Sequence, residues 1–401
     1  GKQNTDAVPS TIATGQIVRA DKNSSEVQVE SVAAVYSQEA RDLPISTSPE
    51  SLTLPADAGP SGETKRILWD DSGNSQWLFL QQPPSKVQNF ETTSTVTLPN
   101  AWSAQGRFTK TGFTGELQGI PSDRSEDPLV VSAAGPAMAL SPNENDGSLY
   151  GDENNVLVPD QYVDAALMSD VQRDRQSLIR ELVAGDSGFF GRQPTMLFWT
   201  DPIDAGAHFP DDFSRRGWAL ASMPIRLERL ASGTDFQIPA SFVELESYIE
   251  RRGASAVFNP DTGKWIGISK PSDSDLRCLV PASVLPCVLK TARVVVKATA
   301  PGRTITISSL VDGKLRQVHE ESSPAGKFEF DIDESALQLD AEGGFVISVA
   351  ISASENQSGS NGANRVAASP NSMPVAPRPS SDDGNKWQID YLHVHLQGTT
   401  Q

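Results

Sequence analysis

Apolar and polar residues alternate with a period of two in short runs along most of this chain. Lys327-Phe328-Glu329-Phe330-Asp331-Ile332 alternates strictly, and Thr304-Ile305-Thr306-Ile307 repeats the pattern. Successive side chains of an extended chain point to opposite faces, so such runs read as strands with one face on a core. Further strand signals fall at residues 66–69, 76–80, 92–98, 106–110, 195–199, 218–230, 236–248, 265–268, 292–297, 344–351 and 387–396. Gly, Pro or Asn stands near the ends of most runs, which is how turns punctuate strands. The spacing is that of a sandwich or jelly roll.

One stretch carries a helical period instead. Asp160 follows Pro159, and Tyr162-Val163, Ala166-Leu167, Val171, Leu178-Ile179 and Leu182 recur every three to four residues until Gly185. This predicts a helix near 160–184, or two shorter ones meeting near Ser169. Residues 1–60 are rich in Ser, Thr, Asp, Glu and Pro, with one strand-like run at 27–32. Their low apolar content predicts an extended arm lying on a neighbour, or a mobile terminus. Residues 121–160 read as a long polar connection. Residues 353–386, dominated by Ser, Asn, Gly, Ala and Pro, read as an exposed loop on a rigid scaffold, the usual place for recognition. The expected class is therefore all-β: an N-terminal arm (1–60), a jelly-roll β-sandwich domain (61–290) with its helix, and a second C-terminal β-sandwich unit (291–401).

Composition narrows the function. With 37% hydrophobic and 21% charged residues over 401 positions, the chain can bury a core in each of two or three domains. The formal charge of −18 repels phosphate, and the longest basic clusters are the pairs Lys65-Arg66, Arg215-Arg216 and Arg251-Arg252. Little direct nucleic-acid binding is expected. Two cysteines, Cys278 and Cys287, can form one local bridge or sit as small buried apolar groups, but build neither a disulfide framework nor a four-Cys zinc site. No apolar run reaches the roughly 18 residues of a membrane span. Gly1 and Gln401 are the ends that cleavage of a polyprotein between Gln and Gly would leave, although Gln397-Gly398 offers the same bond uncut.

Each string suggestive of catalysis lacks partners. Gly185-Asp186-Ser187-Gly188 resembles the nucleophile string of chymotrypsin-like proteases, yet no histidine precedes Ser187. Gly185 reads better as a helix stop followed by a turn. The four histidines are His208, His319, His393 and His395. The last two lie two apart on a strand and share a face, so they can offer a metal two ligands but point to no third; a polar strand face is the expected role. His319, with Glu320, Glu321 and Ser322, reads as an exposed hairpin. Asn143 to Glu153 gathers oxygen ligands but fails the EF-hand spacing at Gly147 and Asn154, and reads as a solvated loop. Asn23 and Asn356 head glycosylation-type triplets. The seven tryptophans are expected as core anchors. The chain is read as no enzyme, with no catalytic, cofactor or metal residues assigned and no cofactor.

Two stretches resemble capsid proteins of small non-enveloped picornavirus-like viruses, the insect-infecting groups most of all. Residues 173–182 (Arg-Asp-Arg-Gln-Ser-Leu-Ile-Arg-Glu-Leu) are similar to the Ser/Leu/Arg-rich helix those proteins carry between early jelly-roll strands, and a strand at Met196 to Trp199 follows. Phe213-Ser214-Arg215-Arg216-Gly217-Trp218 is similar to an aromatic and Arg-Gly segment leading into another strand. The resemblance implies a structural virion protein, assembled in the host cytoplasm, with residues 61–290 as its shell domain and 291–401 as a projecting unit, whose partners are other capsid subunits and a host receptor met through the C-terminal region. The alternative is a secreted or cell-surface β-sandwich module binding carbohydrate or protein.

Overall fold

A computed structural model describes residues 10–21, 24–56, 66–120, 125–132, 135–143, 146–165, 167–185, 193–248, 257–260, 263–354 and 386–401. The chain is all-β, with several sheets and one α-helix among the described residues. The front of the molecule is a large sheet. From one edge its strands run Ser51–Pro55, Lys86–Thr97, Glu26–Ser37, Thr11–Ala20, Ser214–Leu227, Ser103–Thr109, Gly112–Gln118, Leu149–Gly151 and Ser141–Pro142. The sheet branches at Ser214–Leu227, which also pairs with Thr195–Thr200, and that strand pairs with Glu126–Val131.

Residues expected as an arm are therefore the middle of this sheet. Thr11–Ala20 pairs in parallel with Ser214–Leu227 on one side and antiparallel with Glu26–Ser37 on the other. The segment can be interior despite its polarity because its inward residues are small or internally bonded. Val27, Val29, Ala33 and Val35 are buried without bulk. Gln16 is buried too, donating from Nε2 to the Ile203 carbonyl at 2.9 Å and accepting the Ile203 N–H at 2.8 Å. A buried polar side chain bonded in both directions avoids the desolvation cost of an orphan. Ala33, Val35 and Phe90 then pack beneath a four-stranded sheet carrying Ile45 and Trp77.

The helix runs Asp170–Gly185, starting ten residues later than position 160. Ser169 sets the start: its Oγ accepts the Gln172 N–H at 3.2 Å while Gln172 Oε1 accepts the Ser169 N–H at 3.1 Å. This reciprocal cap fixes the first turn. Ile179, Leu178 and Leu182 lie on Leu129, Leu197, Trp199 and Leu220 of the sheet.

The back of the molecule is a two-sheet sandwich. One sheet is ordered Asp235–Ile238, Gln388–Thr400, Cys287–Thr299 and Ala325–Asp333. The other is Glu244–Ser247, Ser272–Leu279, Gly344–Ile351, Thr304–Val311 and Lys314–Ser322. Val294, Val296, Leu392 and Val394 meet Ile305, Ile307, Ile347 and Val349 in the core between them. The sandwich thus recruits strands from residue 235 onward, ahead of the expected boundary at 291, because Ile238 pairs opposite Leu396 of the last strand. One apolar cluster runs from Val18 and Val29 at the front to Val394 and Leu396 at the back. Phe242 stands between, 5.0 Å from Phe108 and 4.7 Å from Phe113.

Deleting residues 1–37 should leave an unfolded or aggregated chain, because it removes two interior strands and not a tether. Circular dichroism and thermal melting check this; a soluble truncation melting cooperatively near the full-length temperature would contradict it.

Candidate functional site

The outer face of the front sheet is half covered. The helix shields one side, and Arg175 fixes it there, bonding Asp127 at 2.7 Å and Glu126 at 2.6 Å. The Arg175 guanidinium also lies 5.1 Å over the Trp199 ring, which meets Trp218 edge-on at 4.9 Å. Beyond the helix the face opens into a groove of about 1010 Å³, floored by Ala13, Gly15 and Ala34. Register explains this shape: Gly15 stands opposite both Trp218 and Val32. A Cβ on Gly15 would lie 3.2 Å from the Trp218 indole, so the absence of a side chain lets the outer edge of the indole rest against the strand. Glu91 and Asp174 bring negative charge to the lining and Arg216 positive charge.

Next to the groove the same face stays open and mixes apolar with charged residues. Val32, Glu91 and Leu54 form one cross-strand row, and Glu30, Thr93 and Leu52 the next. Val32, Leu52 and Leu54 are each close to half exposed. Leu68 and Trp69 on the neighbouring small sheet, with Phe79 and Val87, bring the exposed large apolar residues between positions 32 and 87 to seven of the twelve among the described residues. Scattered exposed apolar residues need no explanation, but neighbouring ones such as Val32, Leu52 and Leu54 on one sheet face mark a contact surface.

The predicted chemical residues do not converge. His208 Nε2 lies 3.3 Å from Ser48 Oγ at the surface. His319 is on the outermost strand of the rear sandwich, stacked 4.3 Å from Phe330 and 3.5 Å from Glu321 through Nε2. Ser187, Asn23, Asn356 and residues 355–385 of the long loop lie outside the described residues. Cys278 and Cys287 are free and buried, so the bridge left open by the sequence is not formed. Burial pushes both thiols up, Cys287 to about 11, so neither is a thiolate at neutral pH. In the acidic loop, Asp146 Oδ1 accepts from the Ser148 N–H at 2.9 Å and hydroxyl at 2.7 Å, holding a turn. Trp77, Trp102, Trp199, Trp265 and Trp387 are buried as expected, whereas Trp69 is half exposed.

His393 and His395 do share a face, but it is buried and not the polar surface expected. The last strand is covered on both sides: Leu392, Val394 and Leu396 face the sandwich core, and the histidine face meets the front unit. His395 Nδ1 accepts the Ala240 N–H at 3.3 Å. His393 stacks on Tyr391 at 4.4 Å. Burial pushes His393 down to about 3, helped by His395 and Lys327, and His395 down to about 4, helped by Arg293 and Lys327. Both rings are neutral at pH 7. No group of three His, Cys, Asp or Glu suited to a metal occurs among the described residues. None of their helices is long and apolar enough to cross a membrane.

No family model matches the chain, and no curated protein does. Among solved structures, a type II cohesin dyad from an adaptor scaffoldin of Acetivibrio cellulolyticus shares 9% identity over 97% of this chain and 85% of its own, with a TM-score of 0.14. Pumpkin seed globulin shares 9% over 98% and 84%, with a TM-score of 0.11. Procruciferin, an 11S globulin from Brassica napus, shares 8% over 100% and 87%, also at 0.11.

Gly15→Val should force the Trp218 indole off the sheet and cost about 1–3 kcal/mol, as overpacking does. A red-shifted tryptophan emission with a lowered urea midpoint is the expected result; an unchanged spectrum would show that Trp218 does not rest on Gly15.

Proposed function

We propose that the chain is a structural coat subunit of a non-enveloped, picornavirus-like particle, with other coat subunits as its partners. The observation that carries this reading is the exposure of Val32, Leu52 and Leu54 in adjacent cross-strand rows on the open face of the front sheet. Surface of that kind is buried at stable protein–protein contacts. In the proposed particle the front unit meets neighbouring subunits through this face. The rear sandwich points outward, and the net charge of −18 over the whole chain disfavours contact with packaged nucleic acid. The resemblance at residues 173–182 and 213–218 supports the same reading: the first stretch falls on the helix, and the second enters the strand that the sheet branches from. A host receptor, met by the rear sandwich, belongs to the same proposal.

A second reading, a secreted or cell-surface binding module, is favoured by the groove beside Trp218, since an indole wall beside an open trough suits sugar stacking. A glycan array separates the two. Selective glycan binding that is lost in Trp218→Ala supports the module.

Co-expression of this chain with its companion coat proteins should give particles visible by electron microscopy. The double variant Leu52→Glu/Leu54→Glu should keep the melting temperature and lower the particle yield at least tenfold. A strictly monomeric chain that never enters particles, or particle formation indifferent to the two glutamates, would sink the proposal.

A further inference from the structure

The histidine face of the last strand lies where the rear sandwich meets the front unit. Across that face the Cys287–Thr299 strand places Arg293 opposite His395, Val295 opposite His393 and Lys297 opposite Tyr391. The next strand adds Asp331, Glu329 and Lys327 opposite those three. From the front, Glu153 bonds Arg293 at 2.9 Å, and Arg293 reaches Glu329 at the same distance with its other nitrogen. Asp152 also bears on His395, but its carboxylate already accepts from the Asn154 N–H at 2.8 Å and the Tyr150 hydroxyl at 3.2 Å. The turn Ala240–Phe242 closes the site. Its first amide donates to His395, and its last ring packs between Phe108 and Phe113 of the front.

The site accepts a neutral imidazole and has no arrangement for a charged one. Nδ1 of His395 is the acceptor for Ala240, so the neutral ring carries its proton on Nε2. Protonation at Nδ1 would set N–H against N–H and leave the Ala240 amide without an acceptor in a buried place. The nearest cations, Arg293 and Lys327, oppose the new charge, and the carboxylates of Glu153 and Glu329 are already held by Arg293. His393, between Tyr391 and Val295, has its charged form opposed by His395 and Lys327.

We propose that His393 and His395 form an acid-sensitive latch that keeps the rear sandwich seated on the front unit while both rings are neutral and loosens that junction when either is protonated. The elements displaced are the Ala240–Phe242 turn and the segment holding Asp152 and Glu153. This does not depend on the coat-protein reading, since it concerns a junction inside one chain.

The direction with pH follows from linkage. Both histidines titrate lower when folded than the ordinary 6.5, so the unfolded chain binds more protons between the two values. The contribution is fully present above about pH 6.5 and is lost as pH falls toward 4 and then 3. From pH 7.5 to 5.0 each ring would raise the opening equilibrium by roughly 30-fold.

Hydrogen exchange of the full chain, read by mass spectrometry and corrected for intrinsic rates, tests the latch at pH 7.5 and 5.0. Peptides covering 149–155 and 239–243 should exchange at least tenfold faster at pH 5.0, with those covering 304–311 and 344–351 unchanged. His393→Gln/His395→Gln keeps polar groups of similar size that do not titrate, and should hold the acid-induced rise under threefold. An equal rise in wild type and the double variant would overturn the latch. If the double variant does not fold, the wild type alone decides: a uniform rise over all peptides, or none at the junction, overturns it.

Discussion

Phe242 sits where two β units become one molecule, and most of the architecture depends on that contact. Its ring packs on Phe108 and Phe113 of the front sheet, while its own turn grows from Asp235–Ile238, the strand that opens the rear sandwich. The apolar cluster is consequently continuous from front to back. A sandwich joined only by a linker would leave the histidine face of its last strand in water. Joined through this aromatic contact, the same strand is buried on both sides. The two neutral histidines, the Arg293 bridge to Glu153 and the cap over Ala240 are consequences of that second burial.

Alternation made the rear sandwich legible. The strict patterns at 304–307 and 327–332 correspond to strands Thr304–Val311 and Ala325–Asp333, because a sheet with one face on a core must show a two-residue period. The N-terminal strands were not legible for the opposite reason. Their inward positions include Gln16, Ser31, Thr53 and Thr92, polar groups that composition assigns to solvent. They are buried because partners far along the chain satisfy them, as Ile203 does for Gln16 and Thr92 does for Thr53 at 2.9 Å. The parallel pairing of Thr11–Ala20 with Ser214–Leu227 spans half the chain, and no local pattern can announce it. The helix start was half legible: Ser169 with Gln172 is a capping pair, but the upstream apolar residues share its period without joining it.

The histidines show the same division. Their two-residue spacing gave the shared face correctly, since that depends only on the strand. Whether the face meets water depends on residues 149–155 and 239–243, brought there by tertiary packing. For the exposed surface the sequence was more nearly silent. Leu52 and Leu54 alternate with polar neighbours as core residues do, and only their place on the outer face, in rows with Val32 and Glu30, leaves them half bare.

Charge and exposure together constrain what this surface can do. A chain carrying −18 repels copies of itself at long range, so an apolar patch on it does not associate indiscriminately. Contact becomes favourable only where apolar area is large and the facing charges are balanced. The front sheet brings cations to its open face without reaching that balance: Arg19 bonds Glu30 at 2.9 Å, and Arg216 lines the groove with Glu91 and Asp174. The rear sandwich instead keeps its own cations engaged, Arg277 with Asp340 and Glu342, and Lys290 with Asp235. The acid-sensitive junction lies between the two, so a fall in pH would act on the orientation of one unit relative to the other.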